Sequence, residues 1–187
     1  MTKAGFVRII AGQWRGRRLK VPDVKEVRPT PDRVRETVFN WLVPYIPGSY
    51  CLDLFAGSGV LGFEALSRGA QEVVMVDQSK EVIDLLQKEK IDFSAHHALI
   101  YQARVPEGLK QPTRPFDIVF LDPPFRSNLL LPCCFYLEEY GFLASSAYLY
   151  LEAETIIKDN ELPPHWHILK CKHAGQVVYH LAHRETI

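Results

Sequence analysis

The sequence predicts a doubly wound α/β fold, a mostly parallel sheet closed by an antiparallel C-terminal hairpin and preceded by a small hairpin and helix. Three observations carry this. From residue 50 onward, short apolar strand-like runs alternate with helical periods. The first strand runs into a glycine turn, Gly57-x-Gly59-x-x-Gly62, where a helix begins. Near the end, Trp166–Cys171 and Gln176–His183 are strand-like runs joined by His173-Ala174-Gly175, which is too short for a crossover and forces an antiparallel pair.

In chain order, residues 6–11 and 17–21 alternate around Gly12 and Gly16 and predict a short hairpin. Thr30-Pro31-Asp32 offers a helix cap with proline in the first turn, and Val34, Val38, Phe39 and Leu42 follow at helical spacing up to Pro44. Strands are predicted near 50–54, 72–77, 98–101, 116–121 and 146–151, with helices near 60–68, 79–90 and 129–139. Residues 1–45 thus form an N-terminal extension, and residues 46–187 the sheet domain.

A length of 187 residues suits one core, and 47% apolar with 24% charged residues is an ordinary globular composition. The absence of a long apolar span or secretory pattern places the expectation in the cytoplasm. Cys51, Cys133, Cys134 and Cys171 lack C-x-x-C spacing and are expected to be buried free thiols. His165-x-His167 and His180-x-x-His183 have no carboxylate or thiolate completing a tetrahedral set, so no metal is expected. Nothing demands more than a monomer. Net charge is zero but uneven: residues 1–40 carry ten Lys and Arg against four Asp and Glu. Within that arm, Trp14-Arg15-Gly16-Arg17-Arg18 interleaves an aromatic ring with guanidinium groups, a combination that contacts phosphates and stacks on unpaired bases.

The glycine turn brings helix N–H groups close to a ligand. Val73–Asp77 follows as a second strand and ends in a carboxylate 15 positions after Gly62, suited to a ribose diol. Asp53, just before the turn, would repel the pyrophosphate of a dinucleotide and would favour the ammonium and sulfonium of S-adenosylmethionine. S-adenosylmethionine is therefore the cofactor expected, ahead of NAD.

The run 116–121 ends in Asp122-Pro123-Pro124-Phe125. Two prolines stiffen the turn and remove two backbone donors, leaving carbonyls free as acceptors. Asp122 and the Pro123 carbonyl can hold the protons of an exocyclic amino group, and Phe125 offers a face for the base. The same residues also fit an ordinary turn in which Asp122 caps a helix starting near Ser127.

Asp53-Leu54-Phe55-Ala56-Gly57-Ser58-Gly59 together with Asp122–Phe125 resembles the class I, Rossmann-like amino-methyltransferases. The segment 28–42 (RPTPDRVRETVFNWL), with Arg8–Gly16 before it and Gly175–Tyr179 near the end, resembles the RsmD family. That resemblance implies methylation of the N2 amine of a guanine in 16S ribosomal RNA of an assembled or assembling small subunit. It implies Phe55, Ala56, Gly57 and Gly59 at the methionine end of the cofactor with Asp53 near its ammonium. Asp77 would take the ribose, Gln78 would flank the adenine, and Gln102-Ala103 would occupy the place of the adenine reader. Thr30, Arg33 and Thr37 would come from the segment that folds over the cofactor. Arg8, Trp14, Arg15, Arg17, Arg18 and Arg33 are the RNA contacts expected. The alternatives are a DNA adenine-N6 methyltransferase, against which the lack of a sequence-reading module counts, and a non-catalytic nucleotide-binding module.

Overall fold

The runs at 50–53, 73–76 and 116–121 are apolar on both faces, as strands covered from both sides must be. They form the centre of a seven-stranded sheet in a computed structural model that describes residues 5–24 and 30–186. Arg28 and Pro29 of the family-like segment, and Lys3 and Lys25 of the basic arm, lie outside the described residues.

A two-stranded hairpin, β1 (Phe6–Arg8) and β2 (Arg18–Lys20), comes first, followed by helix α1 (Asp32–Leu42). The main unit is β3 (Tyr50–Asp53), α2 (Val60–Ser67), β4 (Glu72–Asp77), α3 (Lys80–Asp92), β5 (Ala98–Gln102), β6 (Phe116–Leu121), α4 (Leu130–Glu139), β7 (Leu143–Ala153), β8 (Trp166–Ala174) and β9 (Val177–Glu185). The sheet order is β5-β4-β3-β6-β7-β9-β8. β3 to β7 are parallel, and β9 and β8 add antiparallel to that edge. The order reverses between β3 and β6, so the crevice beyond their carboxyl ends is where such a sheet binds ligands. One apolar cluster lies under α1, α2, α3 and the N-terminal hairpin, and a second lies under α4 on the other face.

The extension is tied to the sheet unit by charge as well as by apolar contact. Glu64 on α2 is fully buried and accepts the Ile10 amide at 2.7 Å, the Ala11 amide at 3.0 Å and Arg68 Nε at 2.7 Å. Arg35 on α1, also buried, lies 3.6 Å from Glu64 and donates to the Arg8 carbonyl at 3.0 Å, the Thr30 carbonyl at 3.1 Å and Asp32 Oδ1 at 2.6 Å. Gly12 makes the close approach possible: its φ is +82°, and a Cβ there would sit 1.8 Å from the Ser67 carbonyl oxygen.

The expected elements are all present, with two local corrections. Thr30 does not cap α1; Pro31 sits at the cap position without a side-chain hydrogen bond, because the Thr30 hydroxyl turns to Asp122 instead. Cys171 is exposed on the edge strand, whereas Cys51, Cys133 and Cys134 are buried free thiols. Among the described residues no helix is long and apolar enough to cross a membrane, and no cluster of metal-ligating side chains forms.

Truncating Glu64 leaves Arg35 with Asp32 as its one remaining anion among the described residues, removes the partner of Arg68 and strands the Ile10 and Ala11 amides. Glu64→Ala is expected to cost about 3–5 kcal/mol in denaturant unfolding; a loss under about 1 kcal/mol would show that the buried pair does not hold the extension.

Candidate active site

A cleft of about 1290 Å³ opens at the carboxyl ends of β3, β4, β6 and β7. Its wall on one side is the glycine turn, with Phe55, Ala56, Gly57 and Ser58 lining it, and Asp77 and Gln78 follow from the end of β4. Gly59, at the N-terminus of α2 with φ +74°, packs against Leu86 and Phe63 and shapes the turn without lining the cleft. Asp77 Oδ2 accepts the Gly57 amide at 3.0 Å and Oδ1 the Ser79 amide at 2.8 Å. Each oxygen keeps a second lone pair, so the carboxylate is both fixed and available.

The lining continues with Asp122–Phe125 at the end of the neighbouring β6 and with Thr30 and Pro31, which precede α1. Phe125 is 56% exposed, a free aromatic face at the cleft mouth. The Ser127 amide takes the Pro124 carbonyl at 3.1 Å, while among the described residues no donor is bonded to the Pro123 carbonyl. α4 begins at Leu130 and its cap residue is Leu129, so Asp122 is not a helix cap. Its hydrogen bond instead comes from the Thr30 hydroxyl, at 3.4 Å. The chain Glu64, Arg35, Thr30 therefore runs from the buried ion pair to Asp122.

Two residues missing from the sequence reading complete the acidic floor and the wall. In the β6–β7 register Phe120 faces Tyr150 and Leu121 faces Leu151, so Glu152 comes level with Asp122. The Tyr150 hydroxyl donates to Glu152 Oε2 at 2.5 Å. Under this pair the rings of Phe39, Phe120 and Tyr150 pack in sequence at 5.7 and 6.5 Å between centroids. Ser127 lines the cleft with its hydroxyl buried and without a partner among the described residues. A carboxylate at the end of a strand neighbouring β6 was the signal available for Glu152.

The charge state follows from crowding. Burial, then the charges of Glu152 and Asp53, pushes Asp122 well above the usual carboxylate range. Burial raises Glu152 as well. Asp53 lies beneath the glycine turn, with Oδ2 accepting the Gly62 amide at 3.1 Å, and burial lifts it to about 7. Asp122 and Glu152 line the cleft, whereas Asp53, expected beside the ammonium, does not and acts on it from beneath the turn; carboxylates so placed fit a cationic ligand and repel a pyrophosphate.

Several expected site residues stand elsewhere. Gln102 is exposed and donates its side-chain amide to the Gln78 carbonyl at 2.8 Å, and the Ala103 amide goes to the Asp77 carbonyl; neither lines the cleft, where Arg104, Val105 and Glu107 do. Thr37 is held on α1 by the Arg33 carbonyl at 3.0 Å and does not reach the cleft. Trp14 is not free to stack on a base: its ring packs edge-on against Phe63 and Phe93, at 6.3 and 5.2 Å. Arg17 lies over Phe93 at 3.9 Å and bonds the Asp92 carbonyl, and Arg8 pairs with Asp32 at 3.2 Å. Arg15, Arg18 and Arg33 are exposed.

The family model described as "Conserved hypothetical protein 95" matches residues 7–183. The chain belongs to this family. It is 46% identical over 183 residues to Ribosomal RNA small subunit methyltransferase D of Escherichia coli, covering 98% of this chain and 92% of that protein. The protein of the same name from Haemophilus influenzae is 48% identical over 95% of this chain and 93% of its own length. Among solved structures, a candidate methyltransferase from Escherichia coli superposes with a TM-score of 0.88 at 44% identity, covering 97% of this chain and 99% of that one. The family is the RsmD family that segment 28–42, Arg8–Gly16 and Gly175–Tyr179 resemble, the fold is that of the class I methyltransferases, and the chain is an enzyme of the methyltransferase type. Its fold and family imply S-adenosylmethionine as the methyl donor.

The raised carboxylates make binding depend on pH with a definite sign. Their charged forms are penalised in the fold, so the stability of the ligand-free protein falls as pH rises from the ordinary carboxylate range to about 7, where Asp53 titrates. A bound cation relieves that penalty. Affinity for S-adenosylmethionine is expected to rise over the same window and to be accompanied by proton release. Calorimetry at about pH 6 in two buffers of different ionisation enthalpy measures the protons released; release unchanged in Asp53→Asn would exclude Asp53 as their source.

Proposed function

We propose that the protein transfers a methyl group from S-adenosylmethionine to the exocyclic N2 amine of a guanine in 16S ribosomal RNA, acting as a monomer on the small ribosomal subunit in the cytoplasm. The observation that carries this reading is the pairing of Asp122 and the open Pro123 carbonyl with the exposed ring of Phe125, across one cleft from the glycine turn and Asp77. Residues 46–187 carry the methyltransferase domain in this reading, and residues 1–45 serve as its cover and as an RNA contact through Arg15, Arg18 and Arg33. The names of the curated relatives support the ribosomal RNA of the small subunit as the substrate class.

S-adenosylmethionine, when bound, supplies a methyl already attached to a good leaving group. What this chain must add is position. The glycine turn closes against the methionine end, and Asp77, fixed by the Gly57 and Ser79 amides, offers its remaining lone pairs to the ribose. Gln78 and Val105, which also line the cleft, would flank the adenine. Asp122 and the Pro123 carbonyl accept hydrogen bonds from the two amine N–H groups, which turns the nitrogen lone pair out of the guanine ring and toward the donor; the nitrogen takes the methyl as the C–S bond breaks, and one of its protons then leaves to Asp122 or to solvent. Phe125 holds the base by stacking, and the stiff Pro-Pro turn keeps acceptors and plate in one geometry. Thr30 orients Asp122 by its single hydroxyl, and the positive charge of the donor draws Asp122 into its ionised, accepting form.

Asp122→Ala is expected to lower kcat by about 10²–10³ on unmodified small subunits. Its affinity for S-adenosylhomocysteine should stay near that of the wild type. Near-full kcat in the variant would remove Asp122 from the reaction.

A further inference from the structure

The C-terminal hairpin presents a surface that neither the cleft nor the basic arm accounts for. β8 is the edge strand, and its sequence WHILKCKHA carries two lysines and two histidines without one acidic residue, inside a stretch that is otherwise acidic. In the register Lys170 faces Leu181 and Lys172 faces Tyr179, so both lysines share the face on which Leu181 and Tyr179 pack beneath α1. Both lysines are exposed.

Aromatic rings stand beside them. Trp41, half-buried at the end of α1, stacks on Tyr179 at 5.5 Å, with Lys172 Nζ 5.9 Å from its ring. Tyr45, 40% exposed, stacks on Tyr148 at 3.7 Å, and Tyr148 stacks on His183 at 4.7 Å. Both elements start at the cleft: Thr30 and Pro31 precede α1, and Gln176 and Val177 form the turn into β9, and all four line the cleft. Along α1 from Asp32 to Trp41 the strip is about 14 Å long. Arg33 is exposed at its cleft end. Its acidic neighbours are Asp32, paired with Arg8 and Arg35 at the cleft end, Glu152, which faces Tyr179 and is held by the Tyr150 hydroxyl, the exposed Glu36 on α1, and Glu185 at the far end, beside Ser146.

We infer that this strip of Trp41, Tyr45, Lys170 and Lys172 binds the single-stranded ribosomal RNA that continues from the target nucleotide, bases against the aromatic pairs and phosphates on the lysines. The inference rests on the ribosomal RNA methylation proposed above. Aromatic rings seated on a sheet face with flanking cations are a sequence-tolerant platform for unpaired nucleotides, and here Trp41 and Tyr45 of the α1 segment sit on the sheet rings Tyr179 and Tyr148. Trp14 is taken up by Phe63 and Phe93 and Arg17 lies over Phe93, so the aromatic-arginine pairing of the arm is spent within the fold, which makes a second platform more useful. Lysines on an edge strand also discourage strand addition, but that role requires no stacked rings above them.

The test is the Lys170→Ala/Lys172→Ala double variant, with a Lys→Arg pair and Tyr45→Ala beside it. Methyl transfer to unmodified small subunits and binding to protein-free small-subunit RNA are followed between about 50 and 200 mM salt. S-adenosylhomocysteine affinity is measured in parallel. Expected for the alanine pair are unchanged cofactor affinity and kcat, a KM raised roughly tenfold, and a salt slope for RNA binding reduced by about 1.4, from two contacts at roughly 0.7 each. The arginine pair should restore both, and Tyr45→Ala should raise KM with the slope unchanged. An alanine pair with wild-type KM and slope, while the wild type methylates RNA, would overturn the strip alone. A raised KM on the particle with an unchanged slope on RNA would mean that the strip docks a ribosomal protein, and would overturn it too. A wild type that methylates no RNA would overturn the proposed function and this inference together.

Discussion

Asp53, Asp122 and Glu152 stand at the carboxyl ends of β3, β6 and β7, where burial opposes the ionisation of all three and the charges of Glu152 and Asp53 add to it at Asp122. A protein keeps such a cluster only if the surroundings hold it in place, and much of this structure does so. Gly62 donates to Asp53, Tyr150 to Glu152 and Thr30 to Asp122. The unfavourable charge is then available to a cation entering the cleft, which links the stability of the free protein to the affinity of its site.

The hold on Asp122 begins far from it. Thr30 is set by the Arg35 guanidinium on its carbonyl, Arg35 is buried against Glu64, and Glu64 also binds the amides of Ile10 and Ala11. The extension is thus part of the machinery of the site and not only an RNA arm. A buried ion pair is weak evidence of net stability; here it fixes the register between extension, α1 and α2.

Much of this was legible in the sequence, for identifiable reasons. Period-2 and period-3.6 patterns located every element of the sheet, because each buries one or both faces against a neighbour. The glycine turn, Asp77 and Asp122–Phe125 were readable because their chemistry is local, fixed by backbone freedom or proline stiffness. The misses are tertiary. Glu152 enters the site only through the pairing of β6 with β7, two strands separated by a helix. Thr30 chose Asp122 over its own helix, a partner 92 residues away. Trp14 looked like an RNA plate among arginines until the hairpin folded it onto Phe63 and Phe93. Gln102 has the right position along the chain but turns back to the Gln78 carbonyl.

The central claim is that this cleft places a guanine amine before a sulfonium methyl. The most direct measurement is transfer of labelled methyl from S-adenosylmethionine to small subunits lacking the modification, beside protein-free ribosomal RNA and duplex DNA, with the product digested to nucleosides and identified by mass. Label in N2-methylguanosine from ribosomal RNA is the predicted result. Label in N6-methyladenine from DNA, or binding of the cofactor with no label in any nucleic acid, would contradict it.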